Sequence, residues 1–273
     1  MKIYPPAKIN IGLSIVEKRS DGFHNIETVF YPIPLCDMLD IEIVKTAATR
    51  KIDFQCDGIE LPDANLNDNL CCRAYRILDA DYHLPPVHIR LHKSIPVGAG
   101  LGGGSSDAAY TLQALNDLFH LQISDEEMIG YASRLGSDCA FFLGRSPAFG
   151  TGKGDILEPI RLSLANYHIL LVKPPVFVST ADAYSSVIPQ KREIDLPVLL
   201  QAPVCEWRKT VFNDFEISVF GKYPEIGHIK DVLYHQGAIY AAMSGSGSSV
   251  YGIFNEDPCE IKKLFPGCFF WSS

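Results

Sequence analysis

Five of the seven residues from Gly98 to Gly104 are glycine, namely Gly98, Gly100, Gly102, Gly103 and Gly104. Pro96 and Val97 lead into the run, Ala99 and Leu101 interrupt it, and Ser105, Ser106 and Asp107 follow it. Glycine lets a backbone take positive φ and approach a ligand closely. Amides that converge just ahead of a helix N-terminus, which carries about half a positive charge, make a cradle for phosphate. A plain turn seldom needs so many glycines, and it would not be framed by Pro96 and a Ser-Ser-Asp helix start. Gly98-x-Gly100-x-x-Gly103 formally satisfies the dinucleotide fingerprint, but that pattern belongs at the first turn of a buried parallel βαβ unit, and the strand preceding it here is half polar. A Walker loop would set Lys-Ser/Thr after its last glycine, and this chain reads Gly104-Ser105-Ser106. The segment reads as a phosphate loop of a third kind.

The loop must hang between a strand and a helix. Val87–Lys93 alternates Val87, Ile89 and Leu91 with His88, Arg90 and His92, a half-buried strand. His88 and His92 lie about 13 Å apart on it, too far for a metal pair. The helix after the loop is expected to start near Ser106–Asp107, with Ala108, Leu112, Leu115 and Phe119 on its apolar face. Further strands are expected at Ala7–Val16, where period two puts Lys8 and Asn10 on one face, and at Glu27–Ile33, Leu39–Val44 and Lys51–Cys56. One polar face per strand implies an antiparallel or mixed sheet. A helix is expected from about Asn67, and another behind the capping box Ser124-Asp-Glu-Glu127, ending at Leu135–Gly136.

The glycine-rich run Gly144–Gly154 suits an irregular crossing between two lobes, with a boundary near residue 155. Beyond it are expected a strand at Tyr167–Val172, helices near Ala181–Val187 and Thr210–Phe220, a Gly-Ser loop at Met243–Ser249 and a strand at Val250–Phe254. The tail Cys268–Trp271 reads as a last strand or core anchor.

Composition sets the frame. The chain has 273 residues, 47% of them hydrophobic and 21% charged, as in an ordinary globular protein. A length near the limit for one core favours two lobes with a cleft. The net charge of −8 disfavours nucleic acid held by counterion release. The eight cysteines form no C-x-x-C pair and read as reduced thiols. MKIYPPAKINIG lacks the features of a secretory signal, and no apolar run has the length of a membrane span, so a cytoplasmic location is expected.

Pro-x-Gly-x-Gly-Leu-Gly-Gly-Gly-Ser-Ser resembles the second signature of the GHMP kinases, which hold ATP on such a loop. Ala7-Lys8-Ile9-Asn10-Ile11-Gly12-Leu13 and Ser244-Gly245-Ser246-Gly247-Ser248-Ser249 match the family's other landmarks in order and spacing. With Arg19-Ser-Asp-Gly-Phe-His24 and Leu135-Gly-Ser-Asp-Cys-Ala-Phe-Phe-Leu143, they point to the branch that phosphorylates the 2-hydroxyl of a cytidine-diphosphate-linked methylerythritol in the non-mevalonate route to isoprenoid precursors.

The resemblance implies an α+β fold of two lobes. Residues 1–154 would form an ATP-binding, ribosomal-protein-S5-like lobe with a left-handed β-α-β unit, and residues 155–273 a smaller α/β lobe contributing to the acceptor site. It implies that Asp138 accepts the proton of the acceptor hydroxyl while Lys8 polarises that oxygen. It places ATP, with Mg2+, on Pro96 to Ser106, and gives Asn69 either the adenine or ribose or an ordinary helix cap. Cytosine would lie between the rings of Phe23 and Tyr184, with His24 reading its edge and Asn10 touching the acceptor. Phe23 stands where the family more often has Tyr, which keeps stacking and removes a hydroxyl. Without the resemblance, Lys8 is a solvated strand lysine, Asp138 a turn or cap aspartate, and Tyr184 a core aromatic.

Three other readings stay open on the sequence. The chain could be a GHMP kinase for homoserine, a mevalonate derivative or a sugar. It could be a nucleotide-binding regulatory module without turnover. Thirdly, it could be a nicotinamide-dependent oxidoreductase that binds NAD on the loop.

Overall fold

The computed structural model describes residues 1–44, 50–60 and 68–273, apart from the side chain of Cys259. The expected helix head at Asn67 lies outside the described residues. By contacts the chain forms two compact units that interleave in sequence. The first is Met1–Ala7, Pro34–Val97 and Gly102–Arg145; the second is Lys8–Ile33, Gly98–Leu101 and Ser146–Ser273.

The first unit holds a four-stranded sheet of β1 (Lys2–Ile3), β4 (Met38–Ile43), β5 (Ile52–Gly58) and β6 (Val87–Lys93), in the order β1-β4-β6-β5. β5 and β6 are parallel and the other pairs antiparallel, the mixed sheet that half-polar strands imply. The chain passes from β5 to β6 through α1 (Leu70–Tyr82), a β-α-β crossover. His88 and His92 each meet an aspartate across the parallel pair, Nδ1 lying 2.8 Å from Asp53 Oδ2 and 2.6 Å from Asp57 Oδ1. The inward residues Leu39, Ile41, Ile89 and Leu91 share one core with Tyr75 and Leu78 of α1 and Leu112 and Leu115 of α2 (Gly103–Phe119).

Helix α2 begins three residues before the expected Ser106. Its N-cap is Gly102 at φ 69°, which offers no side-chain cap, and Ser106 and Asp107 are buried within the helix rather than capping it. The early start needs Gly103, where a Cβ would lie 2.9 Å from Ile95 Cγ2. α3 (Asp125–Leu135) begins as expected, with Ser124 Oγ accepting from the Glu127 amide at 3.3 Å and Glu127 Oε2 accepting from the Ser124 amide at 3.0 Å. A short α4 (Cys139–Gly144) follows.

The second unit holds two sheets. β2 (Pro6–Lys18), β3 (His24–Cys36), β7 (Ala148–Thr151) and β8 (Ile156–Pro159) form one in that order. The glycine-rich run Gly144–Gly154 is therefore no irregular crossing: it contributes β7 and a hairpin turn in which Gly152 and Gly154 take φ 65° and 91°. The other sheet is antiparallel, in the order β10 (Tyr240–Met243), β11 (Val250–Phe254), β9 (His168–Lys173) and β12 (Phe269–Ser272). The apolar tail is thus an edge strand, with Cys268 and Phe270 against the core formed by Leu13, Ile15, Leu170, Phe215, Ile229 and Leu233.

Two helical expectations are shortened. α5 spans only Thr180–Tyr184, and the stretch from Thr210 yields a helix only at α7 (Phe215–Lys222). Ahead of α7 the backbone pairs instead with β2: the Leu13 amide donates to Phe212 O and the Asp214 amide to Leu13 O, both at 2.8 Å. Thr210 and Val211 are β-branched and suit that extended path. Helices α6 (Leu196–Leu199) and α8 (Pro224–His235) complete the unit. Among the described residues no helix is long and apolar enough to cross a membrane.

Candidate active site

Lys8 is not a solvated strand lysine. It is 3% exposed and Asn10 2%, because the polar face of β2 is covered as fully as the apolar one. The cover comes from the glycine loop and from the Ser244–Ser249 segment of the same unit. The Lys8 amide donates to Leu101 O at 3.0 Å, and the Ser249 amide to Ala99 O at 3.2 Å. The Lys8 ammonium donates to Asn10 Oδ1 at 2.5 Å and to Gly100 O at 2.9 Å, and lies 5.4 Å from the centre of the Phe30 ring. Desolvation of an ammonium is costly, and these oxygens and the ring face offset it.

Asn10 is itself held on every side. Its Nδ2 donates to Thr28 Oγ1 at 3.0 Å, its amide to Ser244 Oγ at 3.2 Å, and its carbonyl accepts from Tyr251 OH at 3.0 Å. Ser244 Oγ donates to Gly100 O at 2.8 Å. Gly100 takes φ 75°, and a Cβ there would sit 1.9 Å from Ser244 O, so the close approach of the two loops requires glycine. Asn213, which sequence reasoning missed, sets the second loop: its Nδ2 donates to Met243 O and Gly245 O, both at 2.8 Å. An asparagine just before a helix carries no sequence signal for a bond some 30 residues away.

The expected acceptor residues divide. Phe23 is exposed, with the Lys153 ammonium 5.1 Å from its ring centre. Tyr184 is stacked on His24, centroids 4.6 Å apart at 23°, and meets the edge of Phe215 at 4.7 Å. Burial, helped by Lys18, lowers the pKa of His24, which favours the neutral ring.

In the first unit, Pro96 is buried and Val97 exposed, and Gly102 to Ser106 form the uncapped start of α2. Such a start presents amides and the positive end of the helix dipole. The turn that carries Asp138 adjoins it: a Cβ on Gly136 would lie 3.7 Å from Ser105 Oγ. Asp138 occupies the N-cap position of α4, yet its side chain makes no cap hydrogen bond. Asn69 does cap α1, its Oδ1 accepting from the Cys71 amide at 2.9 Å.

Against known proteins, the pattern of the GHMP kinases N terminal domain matches residues 69–145 and that of the GHMP kinases C terminal matches residues 206–261. The chain is 51% identical over 257 residues to the 4-diphosphocytidyl-2-C-methyl-D-erythritol kinase of Bacteroides thetaiotaomicron, covering 94% of this chain and 93% of that relative. It belongs to the 4-diphosphocytidyl-2-C-methyl-D-erythritol kinase family of GHMP kinases. The relative of the same name from Porphyromonas gingivalis is 45% identical, covering 100% of this chain and 99% of its own. A crystal structure of 4-(cytidine 5'-diphospho)-2C-methyl-D-erythritol kinase superposes with a TM-score of 0.83 at 31% identity, covering 100% of this chain and 98% of that one. The mevalonate kinase of Methanococcus jannaschii shares the fold, with a TM-score of 0.72 at 16% identity over 100% of this chain and 97% of that one. This GHMP kinase is accordingly a small-molecule kinase of α+β architecture, and the oxidoreductase and non-catalytic readings fall away.

Proposed function

We propose that this kinase transfers the γ-phosphoryl group of ATP to the 2-hydroxyl of 4-diphosphocytidyl-2-C-methyl-D-erythritol, in the cytoplasm, on the route to isoprenoid precursors. The observation that carries the reading is the 51% identity, over 94% of the chain, to a kinase named for that acceptor. Residues 1–154 serve in this reading as the ATP lobe and residues 155–273 contribute to the acceptor site, although packing interleaves them.

The chain's own groups supply the chemistry of a loose phosphoryl transfer, which needs positioning and charge rather than a strong base. Asp138 takes the hydroxyl proton as the O–P bond forms. It stands at the N-cap position of α4, in the turn that adjoins the α2 start. Lys8 polarises the same oxygen, and its bonds to Asn10 and Gly100 hold it rigidly without a surface charge. The glycine loop from Pro96 to Leu101 and the α2 start from Gly102 to Ser106 meet the phosphates of ATP with backbone amides. Asn69, beside its capping role, faces the nucleoside.

The uncapped start of α2, with Gly102 as its N-cap, fits a phosphate cradle. Among the described residues no three His, Cys, Asp or Glu side chains gather into a metal-binding group. Magnesium would enter with ATP and offset the charge of its phosphates, with the hydroxyl of Ser105 or Ser106 as the protein donor.

For the acceptor, Phe23 presents an open ring for cytosine, while His24 and Tyr184 act as one stacked pair beside it. Base stacking contributes about 1–3 kcal/mol whatever the base, so the edge must be read by His24 and nearby backbone. ADP release from the purified protein with ATP, measured against 4-diphosphocytidyl-2-C-methyl-D-erythritol, homoserine and mevalonate in turn, tests the reading. Turnover with the first alone supports it, and turnover with either of the others instead refutes the acceptor.

A further inference from the structure

We infer that Lys93, Asp37 and Asp107 form a positioning device for nucleotide binding, fixing the strand that enters the glycine loop against the helix that leaves it. The inference rests on the reading of that loop as the ATP site. Lys93 closes β6, and its ammonium donates to Asp107 Oδ2 at 2.7 Å and to Asp37 Oδ2. Asp37 Oδ1 accepts from the amides of Ser94 and Ile95 at 2.6 and 2.8 Å, the two residues just before Pro96. Asp107 lies early in α2, where its carbonyl accepts from Thr111 Oγ1 at 2.7 Å. One unbroken chain of bonds thus runs from the Ile95 amide through Asp37, Lys93 and Asp107 into α2.

All three side chains are 3% exposed or less. Burying charges is costly, and well-packed apolar groups in their place would hold the fold together as well or better. What an ionic cluster adds is direction: each bond fixes an angle as well as a distance. The cluster is not tuned for stability, since two carboxylates share one ammonium and Asp107 Oδ1 has no hydrogen-bond partner among the described residues. Burial, and after it the charge of Asp37 opposing the pull of Lys93, pushes the Asp107 carboxyl up to about 7.

The place of the cluster explains its use. Gly98, Gly100 and Gly102, all at positive φ, leave the loop more conformational freedom to lose on binding than bulkier residues would. Ordering that loop subtracts from affinity for ATP, and fixing both of its ends beforehand reduces the subtraction. Gly103 shows how closely the parts fit, because a Cβ there would lie 3.3 Å from Lys93 Nζ. Asp107 acts through the backbone of α2 and is a positioning residue.

Titration calorimetry with ATP, alongside steady-state kinetics, tests the inference on Asp107→Ala and Asp107→Asn. Asp107→Ala is expected to raise the Kd and KM for ATP at least about tenfold while the acceptor KM stays within about twofold. Asp107→Asn keeps an oxygen for Lys93 and is expected to show a smaller rise, about threefold, again for ATP alone. A folded Asp107→Ala with the ATP affinity of the wild type overturns the inference. If that variant does not fold, an Asp107→Asn protein in which ATP and acceptor constants move together, or neither moves, does so. Wild-type protein that binds no ATP would instead refute the reading of the loop.

Discussion

Lys8 and Asn10 stand two residues apart on one face of β2, and the Lys8 ammonium donates to the Asn10 side-chain oxygen at 2.5 Å. Asn10 is bonded in turn to Thr28 and Ser244, so the ammonium rests on a fixed support rather than on a flexible surface. Preorganised donors of this sort contribute most where charge develops in the transition state. Lys8→Met should lower kcat by about 10²–10³-fold, the scale of losing one such donor. Lys8→Arg should not restore it, since a planar guanidinium does not fit a site only 3% exposed. Steady-state kinetics with both substrates checks this; a Lys8→Arg enzyme with wild-type kcat would contradict it.

Replacing Asp138, the base in the proposed mechanism, should have a different signature. Asp138→Asn should cut kcat by about 10²–10⁴-fold, or roughly 3–5 kcal/mol. Its folding should be little affected, because asparagine keeps the size and shape of aspartate. A large fall in Tm with only a slight loss of kcat would show that the residue is structural after all.

Two glycines give opposite expectations. At Gly100, with φ 75° and a Cβ position 1.9 Å from Ser244 O, alanine should destabilise by about 1–3 kcal/mol or more and weaken ATP binding. At Gly130, within α3, an added Cβ meets nothing within 4 Å, and alanine should stabilise by about 0.5–1 kcal/mol. Urea titration of the two variants compares them directly. A Gly100→Ala protein as stable as the wild type would mean that the two loops do not meet as described.

His24 makes stability depend on pH. Its folded pKa lies below the ordinary value because burial, and then Lys18, disfavours the imidazolium. The unfolded chain therefore takes up the proton first as pH falls, and stability declines from the ordinary histidine pKa of about 6.5 downward. His24→Phe keeps a ring against Tyr184 and removes the titration. Its Tm should fall less than that of the wild type between about pH 7 and 5, and parallel curves would refute the assignment.

Local signals were legible where the chain interacts with its near neighbours. Ser124 and Glu127 close their capping box three residues apart, and the alternation of Val87, Ile89 and Leu91 is the alternation of burial in β6. The glycine loop was legible as a segment of unusual backbone, and Gly98, Gly100 and Gly102 all take positive φ. The burial of Lys8 was not, since its cover comes from Gly100 and, through Asn10, from Ser244, which lies 234 residues from Asn10. The same holds for Asp37 and Lys93, 56 residues apart, and for Asn213, whose two carbonyl partners lie on a distant loop. Composition gave no warning of a buried ionic cluster. Nor did the pattern Thr210–Phe220 show that β2 would draw its first half out of a helix.

Phosphorus NMR of the product made by the purified protein from ATP and 4-diphosphocytidyl-2-C-methyl-D-erythritol bears most directly on the central claim. A new phosphomonoester resonance, coupled to the 2-position and accompanied by ADP with the cytidine diphosphate signals intact, is the expected result. Unchanged acceptor signals, with ATP either untouched or simply hydrolysed to inorganic phosphate, would contradict it.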